Sequence, residues 1–181
     1  MSAWNFYLQG ANAEKVKVDS NRKLSSKGGN LIFEAVDKIA QQDARRIRWS
    51  GKRPATLSII TPYAQDLCRY AANDAALTFD LKVDQVPSKE VFLNLLCDGD
   101  CNKSVEFTER LRESKLGEYT TYQYVLSCFA NKAESMLNQL NGALEIGTDG
   151  VLDISVANIK ILPNVAPSNL APCTVSEVAT N

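Results

Sequence analysis

The stretch LIFEAVDKIAQQDARRIRW, residues 31–49, carries the strongest local evidence on fold class. Its apolar residues recur every three or four positions, a spacing that gathers them on one face of an α-helix. That face comprises Ile32, Ala35, Val36, Ile39, Ala40, Ala44 and Ile47. Asn30 is a suitable N-cap, and the helix is expected to end around residues 49–51. We therefore predict a long amphipathic helix here.

Helical spacing recurs along the chain. Thr61 and Pro62 suit the N-cap and first turn of a second helix, and Gly142 suits the end of the longest one. Helices are expected at 61–72, 87–96, 105–115 and 120–141. Four to five helices therefore contribute to the predicted fold.

Strand spacing marks other segments. LTFDLKV (77–83) alternates apolar and polar residues, and ATLSII (55–60) reads as a short buried strand. AWNFYL (3–8) and KVKVD (15–19) predict a hairpin near the N-terminus, and a second is predicted around Thr148, Asp149 and Gly150. Together with the helices this predicts an α+β fold: an antiparallel or mixed sheet, with hairpins near both termini, packed on four to five helices. The alternative is a mainly helical fold with edge hairpins.

Length and composition suit one globular domain. The chain has 181 residues, 45% of them hydrophobic and 23% charged. We predict a single domain over 1–162 followed by a proline-containing tail over 163–181. No run of 18 apolar residues occurs and the N-terminus lacks the pattern of a secretory signal, so neither a membrane partner nor export is expected.

Residue usage also bears on chemistry and location. The five cysteines form no recognised framework, which favours reduced thiols and a cytoplasmic location, or a virion if the protein is viral. The chain has no histidine, which excludes Ser–His and Cys–His catalysis within one chain. No nucleophile elbow, P-loop or dinucleotide fingerprint occurs either, so we do not expect an enzyme.

Charge is distributed unevenly along the sequence. Residues 1–53 hold 11 Lys and Arg against five Asp and Glu, a net charge of +6, whereas residues 54–181 carry −7. Basic side chains and an aromatic ring in one region are typical of phosphate contact and base stacking. The candidate nucleic-acid-binding residues are Arg22, Lys23, Lys27, Arg45, Arg46, Arg48, Trp49, Lys52 and Arg53. Opposite charges in the two parts also suit head-to-tail self-association.

The acidic segment DGDCNKSVEFTE, residues 98–109, resembles an EF-hand calcium loop. Its oxygen-bearing residues fall at the ligand positions of that loop, although Lys103 stands where the family has glycine. The resemblance implies Asp98, Asp100, Asn102, Ser104, Glu106 and Glu109 as Ca²⁺ ligands. The alternative is a polar turn between two helices, with Asn102 or Ser104 as the N-cap of the second helix.

These observations lead to one functional hypothesis and two alternatives. We expect a non-enzymatic intracellular protein that binds single-stranded nucleic acid through its basic N-terminal third and forms homo-oligomers. Coat proteins, nucleoproteins and single-strand-binding proteins of viral or cellular origin have this character. The alternatives are a calcium-responsive interaction module and a purely structural assembly subunit. No cofactor other than Ca²⁺ is expected.

Overall fold

The computed structural model describes residues 5–12, 14–18, 23–66, 75–97, 103–129, 139–173 and 175–176. Strands dominate this part of the chain, with one α-helix, α1 (Thr108–Glu113), and short 3-10 turns at Leu126–Cys128 and Pro167–Asn169. The strands are β1 (Asn5–Gln9), β2 (Lys15–Lys17), β3 (Leu24–Ser25), β4 (Leu31–Val36), β5 (Ala44–Ser50), β6 (Ala55–Gln65), β7 (Ala76–Gln85), β8 (Phe92–Cys97), β9 (Ser104–Glu106), β10 (Tyr119–Val125), β11 (Leu140–Thr148), β12 (Val151–Leu162) and β13 (Val175–Ser176).

The strands form two antiparallel sheets packed face to face. Sheet A has seven strands in the order β13-β9-β8-β11-β6-β1-β2, and sheet B has six in the order β10-β7-β12-β5-β4-β3. Strands that follow one another in sequence often lie in different sheets, so the chain crosses the sandwich repeatedly. This arrangement is a jelly-roll sandwich.

The core lies between the sheets and is filled by alternate residues of each strand. Because side chains of a strand point to opposite faces in turn, Leu77, Phe79 and Leu81 of β7 are fully buried against the opposite sheet. Phe107, next to α1, packs edge-on against Phe79 with ring centroids 5.9 Å apart. The helix thus covers one end of a core made by strands.

The prediction of a helix over 31–49 is wrong. This stretch forms β4 and β5, which pair in register with Phe33 opposite Ile47 and Leu31 opposite Trp49. The helical pattern omitted Leu31, which is fully buried, and included Ile39, which is 87% exposed. The segment also contains a period of two, and pairing with β12 satisfies the backbone groups of β5 along its whole length.

Other predicted helices are also strands. β6 continues through residues 61–65, β8 occupies the second half of 87–96, and β10 begins the segment 120–141. Residues 67–72 and 130–138 of the predicted helices lie outside the described part of the chain. The predicted helix at 105–115 is present only in part, as α1. Both the α+β fold and the mainly helical alternative are therefore wrong.

Several strand predictions are confirmed. β6 and β7 contain the predicted strands at 55–60 and 77–83, and β1 pairs with β2 as the predicted N-terminal hairpin. The second predicted hairpin is wrong in its pairing. β11 lies in sheet A and β12 in sheet B, so the turn at Asp149 and Gly150 joins the two sheets instead of pairing neighbouring strands.

A disulfide attaches the C-terminal segment to the sandwich. Cys128 and Cys173 are joined, and the N–H of Ala171 donates to the carbonyl of Gln123 in β10. Beyond them, β13 pairs with β9 at the edge of sheet A. Cys97 is also disulfide-bonded, so the expectation of reduced thiols is wrong for these three cysteines. The division into 1–162 and 163–181 stays a prediction.

One helix is present in the described ranges, and it is far too short to cross a membrane.

Candidate functional site

A row of polar side chains crosses the outer face of sheet A. The register aligns residues of five neighbouring strands on this face, away from the core. In order across the sheet they are Lys17, Tyr7, Ser58, Glu145 and Asn94. Leu144 and Ile146, the neighbours of Glu145 along β11, are fully buried and point into the core.

Glu145 accepts hydrogen bonds from its neighbours on both sides of this row. Ser58 Oγ donates to Glu145 Oε2 at 2.9 Å, and Asn94 Nδ2 donates to Oε1 at 3.2 Å. Ser104 Oγ in turn donates to Asn94 Oδ1. A carboxylate offers about four acceptor positions, and these two bonds leave others free. The Glu145 carboxylate is therefore held in one orientation on the sheet with remaining capacity to accept hydrogen bonds.

An open cleft of about 300 Å³ lies over this network. Phe92 contributes its ring from the same face of β8 as Asn94, two residues away. Gly147 contributes space, because a Cβ atom there would lie 3.4 Å from Thr56 Oγ1 and would begin to fill the cleft. The lining residues are Pro54, Ala55, Thr56, Glu90, Phe92, Asn94, Ser104, Glu145, Gly147, Thr148 and Asp149.

A second depression of about 590 Å³ adjoins the cleft beside α1. Glu90 and Asp149 line both, so the two depressions are adjacent, and together they are called the groove. The other residues of the second depression are Lys89, Glu106, Thr108, Glu109 and Arg112. Its two cations are already paired: Lys89 Nζ lies 2.9 Å from Asp149, and Arg112 lies 2.6 Å from Glu109.

The turn between β11 and β12 holds the groove wall in place. Thr148 Oγ1 donates to the carbonyl of Glu90 at 2.7 Å and accepts from the N–H of Gly150 at 3.0 Å. Ser88 Oγ accepts from the N–H of Val151 at 2.7 Å. These bonds join the turn to the segment before β8, so the residues that line the groove come from packed elements.

The groove suits a ligand with an apolar face and a rim of hydroxyl groups. An aromatic ring offers a flat apolar surface, whereas fixed carboxylate and amide groups accept and donate hydrogen bonds beside it. A few well-placed polar groups next to an apolar surface are the usual composition of a small-ligand site.

Two of the arginines expected to contact nucleic acid, Arg46 and Arg48, are used in ion pairs on the opposite side of the sandwich. Arg46 Nε and Nη2 donate to the two oxygens of Asp153 at 2.9 and 2.7 Å. Arg48 donates to Glu34 at 3.2 Å. The hydrogen bonds that Arg46 donates to Asp153 raise the pKa of the Arg46 guanidinium, so this charge is stabilised by the protein itself.

The other residues of that candidate set are dispersed. Trp49 is buried in the core, and its indole N–H donates to the carbonyl of Ala55 at 2.9 Å. Arg45 lies on the other face of β5, where its guanidinium is 6.0 Å from the centre of the Phe6 ring. Lys27 pairs with Glu14, and Lys23, Lys52 and Arg53 are exposed. Arg22 lies outside the described residues.

The charge asymmetry of the sequence does not persist in space. Lys38 pairs with Asp80, and Arg46 pairs with Asp153, so cations of the first third meet carboxylates of the remainder. Burial raises the pKa of Asp80, but hydrogen bonds from Lys38, Thr121 and Asn158 outweigh it and hold that pKa below its ordinary value. These pairs neutralise cations that the sequence suggested for a polyanion surface, whereas the formation of homo-oligomers stays a prediction.

The residues of the predicted calcium loop are only partly described. Asp98, Asp100 and Asn102 lie outside the described ranges. Glu106 Oε1 accepts from the N–H of Thr108 at 2.9 Å, and Glu109 pairs with Arg112. The predicted flanking helices are wrong before the loop, where β8 lies, and β9 occupies 104–106. Within the described ranges no three Cys, Asp or Glu residues gather as a metal site, and Ca²⁺ binding stays a prediction.

The residues at the centre of the groove were missed by sequence reasoning. Phe92 and Asn94 fell in a predicted helix, and Ser58 and Glu145 in predicted strands whose outer face had no assigned role. An available indication was the alternation in FLNLLC (92–97), where the outward Phe92 and Asn94 flank the buried Leu93. That pattern identifies an outer face but not its neighbours.

Comparison with solved structures gives relatives that share this fold. The extra C-terminal domain of an exo-1,3/1,4-β-glucanase from a Pseudoalteromonas species has a TM-score of 0.74 at 16% identity, covering 94% of this chain and 91% of that domain. Against the complete glucanase, the chain spans 20% of its length.

Two further relatives come from Clostridium thermocellum. The family 30 carbohydrate-binding module of a cellulosomal cellulase has a TM-score of 0.55 at 10% identity, covering 90% of this chain and 94% of that one. The family 11 carbohydrate-binding module, solved with a β-1,3-1,4-mixed-linked tetrasaccharide, has a TM-score of 0.53 at 12% identity, covering 90% and 98%. None of the curated proteins compared with the chain matches it in sequence.

These findings correct the functional hypothesis drawn from the sequence. Single-stranded nucleic acid as the partner, and the coat-protein, nucleoprotein and viral character that went with it, are wrong. Arg46 and Arg48, two of the candidate arginines, are engaged in the protein's own ion pairs, and the similar structures are carbohydrate-binding modules and a glucanase domain. The family model described as galactose-binding domain-like matches residues 2–161, and this chain belongs to that family.

Proposed function

We propose that this domain binds carbohydrate, without catalysis, in the groove on the outer face of sheet A. The observation that carries the proposal is the Glu145 carboxylate, fixed between Ser58 and Asn94 and adjoining an open cleft lined by Phe92. The names of the similar modules, one of them solved with a glucan tetrasaccharide, support the same ligand class.

The groups of the cleft match the two chemical aspects of a sugar. A pyranose ring has a face of C–H groups, which packs on the ring of Phe92, and a rim of hydroxyl groups. Each hydroxyl both donates and accepts a hydrogen bond. Glu145 accepts from such hydroxyls, and the network through Ser104 and Asn94 keeps its carboxylate from turning away.

The disulfides bear on where such a domain works. Disulfides persist in oxidising surroundings and are rare in the reducing cytosol. The Cys128–Cys173 bridge and the disulfide of Cys97 therefore favour an oxidising compartment. The cytoplasmic location expected from the sequence stays a prediction, and mass spectrometry of the native protein without reductant tests it.

Isothermal titration calorimetry with the β-1,3-1,4-linked glucan tetrasaccharide, followed by affinity electrophoresis in soluble glucans and galactans, tests the proposal. Glu145→Gln replaces a charged acceptor, and hydrogen bonds to charged groups contribute about 1.5–3 kcal/mol, so Kd should rise about tenfold or more. Glu34→Gln is the matched control on sheet B and should leave Kd unchanged. Failure of every glycan to bind the unaltered protein at millimolar concentration refutes the proposal.

A steric variant gives an independent test. Gly147→Val adds a side chain that fits strand geometry and projects into the cleft next to Thr56. We expect binding to be lost while the thermal midpoint of unfolding stays close to that of the unaltered protein. Gly147→Ala should have an intermediate effect. Full binding by the valine variant would move the sugar site away from this cleft.

A further inference from the structure

We propose that the groove selects glycans by charge: it takes neutral, hydroxyl-rich chains and rejects chains that carry carboxylate or sulfate groups. This inference rests on the proposed function and names the ligand class of the same groove. It concerns the carboxylates of the cleft, which are Glu90 and Asp149 on its rim and Glu145 on its floor.

The lining of the cleft carries three carboxylates. Glu90, Glu145 and Asp149 line it, and its described lining contains neither Lys nor Arg. Glu145 accepts hydrogen bonds from two uncharged donors, Ser58 and Asn94, which do not neutralise its charge. Asp149 is partly neutralised by Lys89, so an anionic substituent placed in the cleft meets negative charge mainly from Glu90 and Glu145.

The second depression also carries a net negative charge. It adds Glu106 and Glu109 to the shared Glu90 and Asp149. Its cations are paired, Lys89 with Asp149 and Arg112 with Glu109, so they offset part of the negative charge. A glycan that runs along the groove therefore passes a net excess of carboxylates in both depressions.

Other cations lie close in the chain but not in the lining. Lys52 and Arg53 precede Pro54 and are exposed, and Lys103 precedes Ser104. Neither depression has any of the three in its lining.

Neutral sugars are not repelled by the carboxylates of the groove, because their hydroxyl groups donate hydrogen bonds to carboxylates and bring no charge.

A matched pair of probes isolates the charge effect. One probe is the β-1,3-1,4-linked glucan tetrasaccharide, and the other is the same tetrasaccharide oxidised to carboxylate at C6. Calorimetry at 0.01 M salt should give a Kd at least tenfold higher for the oxidised probe. The gap should narrow at 0.15 M salt, because the Debye length falls from about 30 Å to about 8 Å.

Variants assign the effect to the rim. In Glu90→Gln/Asp149→Asn, the ratio of the two Kd values should fall at least threefold. Glu34→Gln, which changes net charge on sheet B, should leave the ratio unchanged. An equal fall in that control would overturn the assignment to the groove.

The outcomes separate this inference from the proposed function. Binding of the neutral probe with weaker, salt-dependent binding of the oxidised one supports both. Equal or tighter binding of the oxidised probe overturns charge selection and leaves sugar binding standing. Absence of binding by either probe, by the other neutral glycans and at either salt concentration overturns both.

Discussion

The Cys128–Cys173 disulfide allows the most direct stability prediction. It closes a loop with a sequence separation of 45 residues, between the 3-10 turn after β10 and the C-terminal segment. Cys173 is exposed, whereas Cys128 is 2% exposed within the core. Cys173→Ser therefore removes the cross-link with little change in burial, and it leaves the buried thiol of Cys128 in place.

The magnitude follows from the loop length. A cross-link removes conformational entropy from the unfolded chain as −2.1 − 1.5R ln n, which for this loop is about 13 cal/mol/K, or about 4 kcal/mol at 25 °C. Since domains unfold with about 5–15 kcal/mol, this is a large share of the stability. We expect Cys173→Ser to lower the free energy of unfolding by that amount.

Urea unfolding, followed by tryptophan fluorescence, measures the change. The slope of free energy against urea should rise slightly in the variant, because the unfolded chain without the cross-link exposes more surface. Cys173→Ala should lose the same free energy. The unaltered protein in reductant should lose at least as much, because the disulfide of Cys97 opens too. A loss below about 1 kcal/mol in both variants would refute the loop-entropy reasoning.

Three further predictions concern residues of the sandwich. Arg46→Met removes the two hydrogen bonds to Asp153 and should lower the free energy of unfolding in urea by about 2–3 kcal/mol. Arg53→Met, in the exposed turn, should change that free energy by no more than about 0.5 kcal/mol. Equal losses in the two variants would contradict the role assigned to Arg46. Trp49→Phe leaves the carbonyl of Ala55 without its indole donor and should cost about 1–3 kcal/mol by the same measurement, so an unchanged midpoint would argue against a core role. Asp80→Asn should lower the free energy of unfolding most near neutral pH. Because the pKa of Asp80 is lowered in the folded state, its carboxylate adds stability at pH values above its ordinary pKa of about 4, and that stability is lost as the pH falls through the folded-state pKa. A loss that is the same from about pH 7 to about pH 2.5 would contradict this pH dependence.

The local sequence pattern predicted the secondary structure correctly where the apolar residues followed only one period. In residues 77–83 the alternation is strict, and the predicted strand lies within β7. In residues 31–49 two periods coexist: the helical one joins Ile32, Val36 and Ile39, and the strand one joins Leu31 and Phe33. Local propensity does not choose between them, because the difference lies in which residues the opposite sheet buries.

The candidate groove depended still more on distant parts of the chain. Ser58, Asn94, Ser104 and Glu145 come from four strands, and none is unusual in its local sequence. They meet because β8 and β6 both pair with β11, in registers that place Asn94 and Ser58 opposite Glu145. A shift of one residue in either register would turn these side chains into the core.

Composition and local pattern were thus enough to predict several of the strands and to show that the chain contains no histidine. The order of the strands, the side of the sandwich on which each charge lies and the identity of the groove depended on pairing between residues far apart in sequence. Arg46 shows the reason: its neighbours in the chain are basic, but its neighbours across the sheet are carboxylates. Hydrogen bonding between strands, which no local window of sequence records, made an apparent polyanion site into a structural ion pair.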